Sequence, residues 1–161
     1  EDIHEGSYKR QRHYEFLGGG RMVESRMPSD TTKTVEHPVD QASVLYFIRT
    51  LNLPVGLDTS FDNYFLPDRN PIRIQVLRRE RIRVPAGEFD ALLVHPIIKA
   101  KGIFSEGGDA RVWLSDDDRH IILQMKSNVP NFPVGSLNLY LKAYRPAPAS
   151  SRPSPSSTDK P

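Results

Sequence analysis

The sequence predicts an all-β fold: an antiparallel, strongly curved sheet forming a barrel, half-barrel or sandwich, with one short helix at about residues 41–51 and an extended C-terminal tail. The central observation is residues 72–84, where Ile72, Ile74, Val76, Arg78, Glu80, Ile82 and Val84 alternate with residues that are mostly Arg or Gln. A two-residue period belongs to a strand with one largely apolar face and one wet face. Next, Val84-Pro85-Ala86-Gly87-Glu88-Phe89 offers proline for the first corner of a turn and glycine for a positive φ, so the chain reverses into a second strand over 89–98. Finally, short runs of this kind recur along the chain between turn signals, and one stretch alone has helical spacing.

In chain order, two polar and aromatic runs, 8–17 and 21–27, flank Gly18-Gly19-Gly20 and read as a hairpin. Triple glycine lacks the spacing of a dinucleotide or phosphate loop. Pro28-Ser29-Asp30 marks a turn before a short strand at 31–36. From Asp40 the period changes: Ala42, Leu45 and Ile48, with Val44, Phe47 and Leu51, recur at three- and four-residue spacing, Asp40 suits the start, and Asn52 with Pro54 ends the run. This amphipathic helix is expected to pack its stripe on the sheet. A strand at 57–66, a turn at 67–71, the central hairpin, strands at 110–114 and 120–126, and a last strand at 134–144 complete one domain over 1–145. Residues 146–161 hold Pro, Ser and Ala with few large apolar groups, a composition that buries too little surface to order itself and favours extended chain.

Composition narrows the function classes. The 161 residues carry 22 Lys+Arg against 20 Asp+Glu, a formal charge of +2, and the arginines of 69–83 fall on both faces of one strand, so no nucleic-acid role is expected. With no cysteine, the chain has no disulfide, zinc-thiolate or Cys-nucleophile chemistry. No apolar run approaches the roughly 20 residues of a spanning helix. The sequence begins at Glu1 rather than Met, and a removed signal peptide is the expectation.

Candidate reactive groups are few. Asp116-Asp117-Asp118 lacks the alternating spacing of a calcium loop and reads as a solvated hairpin turn. The five histidines, His4, His13, His37, His95 and His120, show no paired-ligand spacing; His95 and His120 alone lie in strands that could neighbour one another. No serine sits in a nucleophile elbow, and Ser115 is a turn residue. Trp113 reads as core, and Arg79-Glu80 as an ion pair positioning the hairpin. Neither an enzyme activity nor a cofactor nor a bound metal is expected.

Several segments resemble the bacterial family catalogued as domain of unknown function 3108. They are Ser43-Val44-Leu45-Tyr46-Phe47-Ile48-Arg49-Thr50-Leu51 with Pro54 and Gly56; Arg79-Glu80 before Val84-Pro85-Ala86-Gly87-Glu88-Phe89-Asp90-Ala91; Trp113-Leu114-Ser115-Asp116-Asp117 with Arg119; and Val134-Gly135-Ser136. The resemblance runs over about residues 40–144, is loose in the N-terminal third and leaves out the tail. It implies an all-β envelope protein made with an export signal and without an assigned activity, similar in outline to curved-sheet periplasmic proteins that handle lipids or lipoproteins.

The expected function is that of a non-catalytic docking protein in the periplasm or on the periplasmic face of a bacterial membrane, an accessory or stabilising subunit of a larger membrane-associated complex. Its partners are expected to meet the N-terminal Tyr8, Arg10, Arg12 and Tyr14 and the tail through Arg145, Pro146, Pro148, Arg152, Pro153 and Pro155. In polyproline geometry such a tail reaches roughly 50 Å. The alternative is a periplasmic carrier whose curved sheet encloses a lipid or lipoprotein acyl chain among Leu45, Ile48, Phe89 and Trp113.

Overall fold

A computed structural model describes residues 2–5, 8–11, 13–24, 31–99, 109–128 and 136–145. Strands β1 (Asp2–Glu5) and β2 (Tyr8–Gln11) pair with each other as a two-stranded sheet. Strands β3 (Tyr14–Gly18), β4 (Arg21–Glu24) and β5 (Thr31–Lys33) form a second sheet of three. Helix α1 (Ser43–Ile48) follows, and then a third sheet, built from β6 (Asp58–Phe61), β7 (Ile72–Val84), β8 (Gly87–Ile97), β9 (Asp109–Ser115), β10 (Ile122–Asn128) and β11 (Ser136–Tyr140). Its strands run antiparallel in the spatial order β11-β10-β9-β8-β7-β6, a meander in which each strand pairs with its neighbour in sequence.

The hairpin expected at the triple glycine is present as β3–β4, but the chain before it forms the separate β1–β2 pair. Gly20 turns at φ 67 with its Cα against the Thr34 carbonyl, where an added Cβ would lie 2.9 Å from that oxygen. Gly87 takes φ 133 at the β7–β8 reversal. Of the expected barrel, half-barrel or sandwich, the closed barrel does not form. Among the described residues the two edge strands, β6 and β11, pair only with β7 and β10 respectively, so the sheet is not closed. A single bond from the Ala86 amide to the Leu141 carbonyl, 3.0 Å, draws the tip of the β7–β8 hairpin against the chain beyond β11 without extending into a ladder.

Helix α1 is shorter than its periodicity suggests, because both ends close as turns. The Asp40 carboxylate accepts the Ala42 and Ser43 amides at 3.0 and 2.7 Å, and the Thr50 and Leu51 amides reach back three residues to Phe47 and Ile48. Val44 and Ile48 are buried on the sheet beneath.

Two apolar clusters lie on opposite faces of the large sheet. The first joins Val44 and Ile48 to Ile72, Ile74, Val76, Leu92, Val94, Val112 and Leu114, and takes in Met22 of β4. Tyr14 of β3 packs at its edge, its ring 5.2 Å from that of Phe65. The second holds Ala91, Leu93, Trp113, Ile121 and Leu123, with Ile82, Phe89 and Leu141 at its margin. Strand period separates them: Leu92 and Val94 face one side, Ala91 and Leu93 the other.

A register shift between Val76 and Arg78 alters the expected pattern of β7. Even-numbered residues face the helix through Val76, and from Arg78 onward they face the second cluster, opposite Leu93, Ala91 and Phe89. A second shift in β10 lets Leu123 join that cluster while Met125 stays in the first. Trp113, 8% exposed, is core as expected and donates its indole N–H to Glu80 at 2.7 Å. Arg79 and Glu80 do not share one bond system across the hairpin: Arg79 pairs with Asp116, while Glu80 holds Trp113 and Arg78.

Candidate functional site

Two of the segments quoted for the family resemblance, far apart in sequence, meet on one surface. The first is the end of α1, where Tyr46 and Arg49 lie off the buried stripe of Val44 and Ile48. The second is the turn between β9 and β10. There the Ser115 hydroxyl accepts the Ile121 amide at 2.7 Å and donates to Asp117 at 2.7 Å. Asp117 also takes the Arg119 amide at 3.1 Å and the Arg119 Nε at 3.0 Å. One carboxylate thus fixes the shape of the turn and aims Arg119. His120 follows at φ 43, a left-handed conformation held by its backbone bond to the Asp117 carbonyl at 3.1 Å.

The turn locks onto the helix end through two bonds. Arg49 donates Nη2–H to the Arg119 carbonyl at 3.2 Å, and His120 Nδ1, 3.1 Å from the Arg49 carbonyl, donates in return because a carbonyl only accepts. Aromatic rings extend the surface at both ends. The Arg49 guanidinium stands 5.7 Å from the Tyr46 ring centre, and that of Arg119 stands 5.5 Å from Tyr144. Tyr46 is 64% exposed and Tyr144 42% exposed. The result is a row, Tyr46–Arg49–Arg119–Tyr144, whose backbone is tied down and whose rings face outward.

Burial pushes the Asp117 carboxyl up, but hydrogen bonds from Arg119 and Ser115 outweigh it and hold the group below its ordinary value of 3.8. The depressed folded value means that the stability Asp117 contributes is fully present above that ordinary value and is lost as pH falls through the folded one. Asp117→Asn is therefore expected to flatten part of the acid limb of a thermal-stability profile below about pH 4. Melting curves of both proteins between neutral and strongly acidic pH check this, and an unchanged acid limb would contradict it.

Residues quoted from the sequence fall in several places. Arg145 is exposed and follows Tyr144 directly. Tyr8 and Arg10 lie in β2, their side chains outside the described residues, as are Arg12, Pro146, Pro148, Arg152, Pro153 and Pro155. Tyr14 is half-buried, its ring packed edge-on against Phe65. Leu45 and Ile48 pack in the first cluster, Phe89 and Trp113 in the second, so these four do not line one space; the sheet itself lies between them. His95 and His120 sit at opposite ends of β9 and are not brought together: one lies beside Arg111, the other on Arg49. In the acidic turn, Asp116 and Asp117 are held by Arg79 and Arg119.

Sequence reasoning passed over Tyr46, Arg49, Arg119 and Tyr144 as contact residues. The available signal was Tyr46, a large ring between two apolar ridges but belonging to neither.

No curated protein and no solved structure matches the chain. A family model described as "Protein of unknown function (DUF3108)" matches residues 1–142, so the relationship extends through β1–β5 as well as the large sheet and stops before the tail. The chain belongs to the DUF3108 family.

Proposed function

We propose that this protein is a non-catalytic docking subunit of the bacterial cell envelope, held at the periplasmic face of a larger membrane-associated complex. The observation that supports this reading is the Tyr46–Arg49–Arg119–Tyr144 row, which ends one residue before Arg145 and the start of the Pro/Ser-rich tail. Tyrosine and arginine dominate the energetics of protein interfaces because they bring large contact area and several donors at modest entropic cost. Here they rest on a backbone that is already ordered, so little is lost when a partner arrives.

The edge of the large sheet lengthens this surface. All five residues of β11 are exposed, among them Leu137, Leu139 and Tyr140, and the strand leads directly into residues 141–145. An exposed edge of this kind accepts an added strand, with main-chain bonds for affinity and alternate side chains for register. In this reading the sheet is a half-barrel curled at the bulges of β7 and β10. A partner contributes an extended segment to β11, and the tail crosses to the partner's own surface.

Deleting residues 146–161 is expected to weaken association with the complex while the β domain keeps its melting temperature. Sedimentation of solubilised envelope complexes with and without the tail measures this, and undiminished association of the shortened protein would count against the docking reading.

A further inference from the structure

We infer that the cleft between the 109–111 end of β9, the 126–128 end of β10 and β11 binds a phosphate ester carried on a small polyhydroxylated body. The strand register builds the site. Gln75 pairs with His95, Arg111 with Lys126, and Lys126 with Asn138. His95 lies one position beyond the Val94–Val112 pair that joins β8 to β9. A single row of donor-bearing side chains thus crosses β7 to β11 on one face.

Two cations directly opposite one another on neighbouring strands repel, and a sheet that places Arg111 across from Lys126 carries that cost. The residues around them relieve it in part. Asp109 accepts Arg111 Nε at 2.6 Å, which occupies one side of the guanidinium fork. Lys126 leans over Trp113, its Nζ 5.6 Å from the ring centre, and has no carboxylate partner among the described residues. An anion seated between the free side of the Arg111 fork and Lys126 would satisfy both.

The dimensions select the rest of the ligand. The cleft has a volume of about 510 Å³, bounded by Asp109, Arg111, Lys126, Asn128, Ser136 and Asn138. It is a depression open to solvent, wide enough to take more than one bare anion. Beyond the two cations, its walls carry the Asp109 carboxylate, already engaged by Arg111, the amides of Asn128 and Asn138 and the hydroxyls of Ser127 and Ser136, groups that pair with the hydroxyls of a ligand. Within the row, His95 Nε2 is enclosed without a hydrogen-bond partner among the described residues. Burial holds the His95 pKa down, as do Arg111 and Arg73, while Asp109 opposes them. Asp58, on the far side of Arg73, neutralises that arginine. A phosphate beside Arg111 would offset its repulsion and draw a proton toward His95.

Titration of the isotopically labelled full chain with glycerol 3-phosphate tests the site by NMR. Saturable shifts at Arg111, Lys126 and Asn138 are expected, with a rise in the His95 pKa and no response to glycerol. Arg111→Gln and Lys126→Gln, each judged by an unchanged melting temperature, are each expected to weaken binding at least about tenfold, the loss of one charge-assisted bond. Lys126 is exposed, so its charge can be removed without disturbing the core. A parallel arm uses vesicles of phosphatidylglycerol in phosphatidylcholine. Cosedimentation that Lys126→Gln abolishes assigns the phosphate to a lipid headgroup; binding of glycerol 3-phosphate without cosedimentation assigns it to a soluble ester. Absence of saturable binding in both arms, or binding that Arg111→Gln and Lys126→Gln leave intact, overturns the site.

Discussion

Leu93→Ala is expected to destabilise the protein by about 3 kcal/mol, the usual cost of a buried Leu-to-Ala cavity. Leu93 is 1% exposed and sits in the small cluster on the face of the sheet away from the helix, opposite Arg78 on β7 and Trp113 on β9. That cluster lies along the distal half of the β7–β8 hairpin, beyond the Val76–Arg78 bulge. Its neighbours Trp113 and Leu123 are themselves anchored, one by Glu80 and the other within the β10 bulge, so they relax little into the space left behind. Leu139→Ala is the matched control: at 48% exposed on an edge strand it should cost less than about 0.5 kcal/mol. Urea unfolding followed by Trp113 fluorescence measures both, since the chain has one tryptophan. A Leu93→Ala loss below about 1 kcal/mol would show that the second cluster is not a true core.

Tyr46→Ala combined with Tyr144→Ala is expected to weaken partner binding by roughly 30-fold or more while leaving the fold intact. Interface tyrosines commonly cost about 2 kcal/mol or more on truncation, and these two stand at the two ends of the tied Arg49–Arg119 pair. Both rings are substantially exposed, 64% and 42%, so their loss removes little core packing. Tyr46→Phe separates ring from hydroxyl: it should retain most of the affinity, because the Arg49 contact uses the ring face. The affinity of the purified complex partner for each variant, measured by isothermal titration, decides the matter. Equal affinity for wild type and the double alanine variant would place the partner elsewhere.

The long hairpin, the helix and the core status of Trp113 were legible in the sequence because each is a local pattern. Alternation over residues 72–84 marks β7 at the bounds observed, and Pro85 with Gly87 marks the reversal after it. What alternation does not reveal is a bulge. Val76 and Arg78 read as successive members of one face, yet they point to opposite sides of the sheet, and the four residues Leu45, Ile48, Phe89 and Trp113 are divided between its faces. Sheet closure was equally out of reach, since it depends on whether β6 and β11 meet, and neither short strand carries a signal of its edge position. The Tyr46–Arg49–Arg119–Tyr144 row joins residues 70 positions apart through a backbone carbonyl, which no side-chain pattern records. The individual motifs were visible; their meeting is a property of the fold.

Gentle purification of the protein from its native membranes, without crosslinking and followed by mass spectrometry, tests the docking account most directly. The account predicts one or more protein partners in stoichiometric amounts, lost when Tyr46 and Tyr144 are replaced by alanine. A lone protein carrying a bound lipid would contradict it.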